Sequence, residues 1–302
     1  MLSNVFVFGG TGLLGSAVAR ANPGSRVVSS RDFDARDIID TKNWFRVHAE
    51  ELKDSTIHIC CGRVAGIGGQ VDYLMFTDNM LMAMNLIQCA SEFQFSGRTV
   101  YYSSSCVYPK HLDVFKEEDM LTGEFEPSNE GYALAKAAGQ RMCNYLNAYR
   151  NNSQFVTVVP PNLYGDNDNW NLETCHVLPA LAQRIRTARD SGAPSLEVWG
   201  HPHTRREFLR SDDVARGAQF VIDNMPDAQA VNVGAGQDIS IGEVVEGLCS
   251  RLGYTGEIVY TADRVGKARK LLNSDKIYSQ GWQPEYNYEE MLDYIASAVE
   301  SR

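Results

Sequence analysis

The chain has 302 residues, 44% of them hydrophobic and 22% charged, an ordinary soluble composition with length for one large or two modest domains. A formal net charge of −10 argues against a protein that tracks a phosphate backbone, so no nucleic-acid partner is expected. No apolar run approaches the ~20 residues of a membrane span. The seven cysteines (Cys60, Cys61, Cys89, Cys106, Cys143, Cys175 and Cys249) are scattered without a C-x-x-C pair, so neither a disulfide framework nor a metal site is expected.

Met1-Leu2-Ser3-Asn4 has no basic stretch and runs straight into apolar Val5-Phe6-Val7-Phe8, so a cytoplasmic protein is expected. That first strand leads into Gly9-Gly10-Thr11-Gly12-Leu13-Leu14-Gly15 and an apolar helix through Val18 and Ala19. Strand, glycine turn and helix form the phosphate-binding start of a dinucleotide fold. The glycines permit a tight turn and close approach of a pyrophosphate to the helix N-terminus. The spacing is G-x-x-G-x-x-G. A second strand, Arg26 to Ser29, ends in Ser29-Ser30-Arg31, with Asp32 only afterwards. Two hydroxyls and a guanidinium suit a 2′-phosphate, so NADP(H) is favoured over NAD.

Thr41 to Leu52 reads as an amphipathic helix and Thr56 to Cys61 as a buried strand. His58 inside that strand is expected to be a core histidine. The strand ends in a glycine-rich loop, Gly62 to Gly69, at the position where open α/β sheets bind ligands. Asp78 to Phe95 is a long apolar helix rich in Met and Leu, a core or subunit contact. Thr99 to Tyr102 is a strand running into Ser103-Ser104-Ser105-Cys106. After a polar insertion to about Pro127, Glu130 to about Arg150 is a helix carrying Tyr132 and Lys136. A Tyr and a Lys four apart share a helix face, where the ammonium can stabilise a tyrosinate and lower the phenol's pKa. Phe155 to Val159 is a strand stopped by Pro160-Pro161-Asn162-Leu163-Tyr164-Gly165.

Alternating strands and helices to this point predict an α/β fold: a Rossmann-type doubly wound parallel sheet. Beyond Gly165 the pattern changes to a polar loop, a helix from about His176, an edge strand Leu196 to Trp199, a helix start at Ser211-Asp212-Asp213, a strand Val231 to Gly234, and helices near 240–253 and 286–300. The expected division is a cofactor domain of residues 1–165 and 206–234 and a smaller discontinuous α/β substrate domain of 166–205 and 235–302.

A glycine-rich loop, a serine after a mid-chain strand, Tyr-x-x-x-Lys about thirty residues on, and a proline–asparagine–tyrosine–glycine turn resemble the extended short-chain dehydrogenase/reductase superfamily. Within it the chain is similar to the GDP-L-fucose synthase family, the GDP-4-keto-6-deoxymannose 3,5-epimerase-4-reductases. The similar stretches are Ser104 to Lys110, Glu126 to Ala133, Asn162 to Gly165, Cys175 to Leu181, Val198 to Gly200, Arg206 to Leu209 and Arg269 to Leu272. The residues themselves fit this choice. Ser105 and Cys106 occupy the positions where sugar dehydratases carry an Asp-Glu pair. Epimerising carbons beside a ketone needs an acid and a base on opposite faces, and a thiol and a histidine suit both tasks.

The resemblance implies that Ser104, Tyr132 and Lys136 form the reduction triad, although Ser103 and Ser105 adjoin Ser104. It implies Cys106 as base and His176 as acid in the epimerisations. For the cofactor it implies Gly9, Gly10, Thr11, Gly12, Leu13, Leu14, Gly15, Ser29, Ser30, Arg31, Lys136, Pro160, Asn162, Leu163 and His176. For the GDP-sugar it implies Arg184, Trp199, Arg206 and Arg269, with Arg205 a neighbour of Arg206. It also implies a homodimer through the helices of 78–95 and 132–150. Two departures stand out. Thr11 and Ser29 replace arginines that the family uses on the 2′-phosphate. Arg264 to Ala268 lacks the family's Asp-Gly-Thr-Pro run, leaving Asp263 or a different sugar to account for it. The competing expectations are an enzyme for another 4-keto GDP-sugar, such as a heptose, and a non-catalytic NADP-binding sensor.

Overall fold

The structure is a computed structural model that describes residues 4–64, 73–93, 96–150, 154–261 and 267–302. Gly66, Gly68 and Gly69 of the glycine-rich loop lie outside the described residues, as do Phe95 and the stretch from Asp263 to Gly266.

The chain begins with β1 (Val5–Phe8), α1 (Leu13–Ala21), β2 (Arg26–Val28), α2 (Ile38–Val47), α3 (Ala49–Leu52), β3 (Thr56–Ile59), α4 (Tyr73–Phe93) and β4 (Thr99–Tyr102). It continues through β5 (Val114–Phe115), α5 (Glu130–Arg150), β6 (Phe155–Val159), β7 (Asn162–Tyr164), α6 (Val177–Asp190), β8 (Ser195–Trp199), β9 (Arg205–Arg206), β10 (Phe208–Arg210) and α7 (Ser211–Asn224). The remaining elements are β11 (Ala230–Asn232), β12 (Ile239–Ser240), α8 (Ile241–Leu252), β13 (Glu257–Thr261), β14 (Arg269–Leu272), α9 (Asp275–Tyr278) and α10 (Tyr288–Glu300).

Six strands form a sheet in the order β2-β1-β3-β4-β6-β11, and every pairing in it is parallel. This is the expected doubly wound α/β architecture. The apolar runs of β1, β4 and β6 are buried at every position, because helices cover both faces. Alternation sorts the side chains: Val5 and Val7 pack with α1 and α7, whereas Phe6 and Phe8 pack with α2 and α4. The order in which strands are added reverses between β1 and β3, which puts a crevice at their carboxyl ends, where such folds take ligands.

A separate apolar cluster gathers α6, β8, α8 and α10. Three small sheets connect the regions: β7 with β10, β8 with β13, and β12-β9-β14-β5.

The structure corrects several expectations. The helix over 41–52 is two helices, broken at His48 (φ −105°, ψ 14°). Asp37 caps the first by accepting from the Ile39 and Asp40 amides, so that helix begins at Ile38. The Met-rich helix begins at Tyr73, five residues before Asp78. The stretch Asn162-Leu163-Tyr164, expected as a turn, is a strand paired in parallel with Phe208-Leu209-Arg210. His58 is a core histidine: Nδ1 lies 3.0 Å from the Tyr102 hydroxyl, and burial pushes its pKa down to about 4.

Candidate active site

The glycine turn follows from backbone geometry. Gly9 has φ +80°, and a Cβ there would come within 2.9 Å of the Cys61 amide nitrogen. A Cβ on Gly15 would lie 2.1 Å from the Gly9 carbonyl oxygen, so α1 reaches the turn only because Gly15 has no side chain. Gly12 caps α1 without a side-chain hydrogen bond, which leaves first-turn N–H groups open toward an anion. A phosphate-bearing dinucleotide fits this cradle. Thr11 and Gly12 are exposed at its rim, while Leu13 and Leu14 are half-buried.

Beside the turn lies a cleft of about 490 Å³, lined by Phe8, Val28, Ser29, Ser30, Arg36 and Arg63 among others. Ser29 and Ser30 are therefore where the sequence places them, but Arg31 is not in the lining. The Ser29 amide and hydroxyl both donate to Asp32 Oδ2 (2.8 and 3.1 Å). The cations in the lining are Arg36, paired with Asp34 at 2.8 Å and Asp78 at 3.6 Å, and Arg63, 3.5 Å from Asp78. Sequence reasoning missed both, because neither adjoins the end of β2 along the chain.

The chemistry-bearing residues sit at the carboxyl ends of β4 and β6 and on α5. Ser104 accepts from the Cys106 amide (3.3 Å) as the cap of a single 3-10 turn, Ser105–Val107. Ser105 donates its amide to the Pro160 carbonyl (3.1 Å), which ties this turn to the end of β6. α5 approaches β4 closely because Gly139 faces the Tyr101 ring; a Cβ there would sit 2.5 Å from Tyr101 Cζ. This approach brings Tyr132 to hydrogen-bond Ser104. Lys136 is 6% exposed, its Nζ donating to the Tyr102 carbonyl (2.9 Å) and lying 5.9 Å from the Tyr132 ring centroid.

Burial dominates the electrostatics. It raises the Tyr132 pKa, Cys106 adds to the rise, and the Ser104 hydrogen bond opposes it. Burial also lowers Lys136 to about 8, against the nearby Cys61 and Cys60 thiols. Lys136 is not among the groups that shift the phenol, so the expected lowering does not occur and burial holds Tyr132 neutral.

Cys106 accepts from Asn129 Nδ2 at 3.2 Å, and the Arg206 guanidinium, its pKa pushed down by burial, interacts electrostatically with the same thiol. Asn129 closes the 3-10 turn Pro127–Asn129 that leads into α5; the sequence quoted it but assigned it no role.

His176 is the residue that caps α6, without a side-chain bond to that helix. Pro179 in the first turn, where a missing N–H costs nothing, helps set the helix start there. His176 Nδ1 lies 3.9 Å from Asp168 Oδ1. Asn162 donates from Nδ2 to the Glu207 carbonyl (2.9 Å), fixing β7 against β10, and Leu163 beside it is half-buried. Glu207 itself is buried and accepts from the amides of Ala235, Gly236 and Leu272. Burial still raises its pKa to about 7.

The remaining expected substrate residues fall into three places. The Arg184 guanidinium lies 4.7 Å from the Trp199 ring centroid, and both residues hold Glu197, Arg184 through its carbonyl (2.7 Å) and Trp199 through Oε1 (3.0 Å). Arg206 belongs with Cys106. Arg269 shares the Asp238 carboxylate with Arg205.

A parallel dinucleotide-binding sheet with an open helix N-terminus and a Ser–Tyr–Lys group at its strand ends defines an enzyme of the nicotinamide-dependent class. The model of the NAD dependent epimerase/dehydratase family matches residues 5–234. The chain is 35% identical to GDP-L-colitose synthase of Yersinia pseudotuberculosis, over 86% of this chain and 85% of the relative. It is 33% identical to GDP-L-fucose synthase of Sinorhizobium fredii, over 94% of this chain and 91% of the relative. The crystal structure of a GDP-L-fucose synthetase from Naegleria fowleri bound to NADP is similar with a TM-score of 0.85 and 26% identity, covering 98% of this chain and 91% of that one. The chain belongs to the NAD dependent epimerase/dehydratase family.

Proposed function

We propose that the chain converts GDP-4-keto-6-deoxy-D-mannose to GDP-L-fucose, epimerising carbons 3 and 5 and then reducing carbon 4 with NADPH. The observation that carries the reading is Cys106 seated beside the Ser104–Tyr132 pair, with its sulfur held by Asn129 and faced by Arg206. A simple reductase has no use for a thiol there. A carbon acid next to a ketone does, because its proton must leave from one face and return on the other.

In this reading Cys106 takes the proton and His176 returns one. Ser104 and Tyr132 then bind the carbon-4 oxygen, and Tyr132 delivers its proton to it. NADPH, when bound, supplies the hydride. Lys136 holds the nicotinamide ribose, and its charge stabilises the tyrosinate left behind. Gly9 to Gly15 seat the pyrophosphate, Ser29, Ser30 and Arg31 meet the 2′-phosphate, and Pro160, Asn162, Leu163 and His176 border the nicotinamide. Arg184, Trp199, Arg206 and Arg269 hold the GDP-sugar. Cofactor binding falls to residues 1–165 and 206–234, and substrate binding to 166–205 and 235–302.

We infer a cytoplasmic homodimer. Tyr73, Leu81, Leu134, Tyr145 and Tyr149 on α4 and α5 are exposed, and a second copy would cover such an apolar face. Among the described residues no helix is long and apolar enough to cross a membrane.

A second reading, action on another 4-keto GDP-sugar, is favoured by the relative named for GDP-L-colitose. Incubation with GDP-4-keto-6-deoxymannose and NADPH separates the two. GDP-L-fucose with stoichiometric NADPH oxidation is expected. Turnover only on another 4-keto GDP-sugar supports the second reading, and cofactor binding without turnover on any of them overturns both.

A further inference from the structure

We propose that Asp168 is the positioning residue for His176, holding the imidazole by Nδ1 and favouring its protonated form. This rests on the role proposed above for His176 as the acid in epimerisation.

The Asp168 side chain is 3% exposed, and among the described residues its Oδ2 has no hydrogen-bond partner. A buried carboxylate oxygen without a donor is costly and calls for one. The group nearest in kind is His176: its Nδ1 is also buried without a partner and lies 3.9 Å from Asp168 Oδ1. That distance is within ion-pair range and longer than a hydrogen bond. The imidazole side chain is 38% exposed while Nδ1 is covered, so the exposure falls on the rest of the ring and leaves Nε2 available to a substrate.

The intervening loop holds the two groups at its ends. Asn167 is left-handed (φ +61°), the Asn169 amide donates to Asp168 Oδ1 (2.7 Å), and Asn169 Nδ2 donates to Thr174 (2.9 Å). The Cys175 amide then bonds the Asn171 carbonyl (2.7 Å). Among the described residues the Cys175 thiol and the Tyr294 hydroxyl also interact electrostatically with Asp168. Burial raises both pKa values, so both are neutral at neutral pH. The Tyr294 hydroxyl is bound to Asp166 (2.8 Å). Asp168 is thus the charge that His176 meets.

A carboxylate on Nδ1 fixes the ring orientation and favours the imidazolium. During each epimerisation the proton leaves Nε2 for the carbon that Cys106 has deprotonated, and the Nδ1 proton stays on the ring, toward Asp168. The neutral imidazole then regains a proton from solvent, and the Cys106 thiol gives one up.

The test is Asp168→Asn in the full chain, whose amide oxygen can still accept from Asn169. Imidazole nitrogen and carbon resonances of the six histidines are titrated by NMR, with His176 assigned from His176→Gln. The His176 midpoint is expected to fall by about one pH unit in Asp168→Asn. Solvent deuterium exchange at carbons 3 and 5 is expected to fall about tenfold or more near pH 8, with part of the loss recovered at lower pH. An unchanged His176 midpoint overturns the proposal, even if exchange falls. A shifted midpoint in a protein whose parent form exchanges no substrate protons overturns the functional reading instead and leaves the Asp168–His176 coupling standing.

Discussion

Lys136→Met removes a charge that the fold holds at a cost. Burial lowers the Lys136 pKa from 10.5 to about 8, so at pH 7 the folded chain carries its ammonium about 3 kcal/mol less favourably than the unfolded chain does. The hydrogen bond to the Tyr102 carbonyl returns about 1 kcal/mol. Methionine has similar length and no charge. The variant is therefore expected to be more stable than the parent by about 2 kcal/mol at pH 7, a rise of about 4 °C in melting midpoint for a chain of this size. The sign with pH follows from the same shift. Below pH 8 both states hold the proton and the cost is fully present. Between 8 and 10.5 the unfolded chain holds a proton that the folded chain has released, so the parent gains stability and the gap closes. Reductase activity is expected to move the other way, with NADPH oxidation lost while the more stable fold persists. Urea unfolding at pH 7, 8, 9 and 10 is the assay. A variant no more stable than the parent at pH 7, or a gap that stays constant to pH 10, would refute the reasoning.

Gly15→Ala is expected to lose NADPH binding and about 2 kcal/mol of stability, because its Cβ meets backbone at 2.1 Å, whereas Gly12→Ala, with its nearest contact at 3.6 Å, is expected to leave unliganded stability unchanged; thermal melts and a fluorescence titration compare them. Cys106→Ser is expected to abolish deuterium exchange at carbons 3 and 5 and leave the NADPH dissociation constant within about twofold, since the sulfur serves the carbon acid and not the cofactor; unchanged exchange would place the base elsewhere. Arg31→Ser is expected to weaken NADPH about tenfold while leaving NADH unaffected; equal loss for both would move the 2′-phosphate contact to Arg36 or Arg63, the cations that line the cleft.

Much of the first half of the molecule is legible from local patterns. Val5–Phe8, Thr99–Tyr102 and Phe155–Val159 read as buried strands because both of their faces are covered by helices. α5 is legible over its whole length, and with it the spacing of Tyr132 and Lys136, because a helical repeat sets it. The short strands outside the main sheet were not legible. Asn162–Tyr164 read as a turn, and Val114–Phe115 and Arg205–Arg206 gave no signal, because two or three residues carry no period and pair only with partners from distant chain.

By itself the sequence determined which residue types reach the strand ends: the glycine turn, Ser104 and Cys106 after β4, the Tyr-x-x-x-Lys helix, and the proline that starts α6 at His176. Only the tertiary structure decided their company. It put Asn129 on the Cys106 sulfur with the Arg206 guanidinium close enough to interact with it, Asp168 beside His176, and Arg36 and Arg63 in the cleft by the end of β2. It also reversed the electrostatic expectation for Tyr132. Periodicity reports which face of an element is buried. Hydrogen bonding and desolvation depend on what other elements bring to that face, and this information is spread along the whole chain.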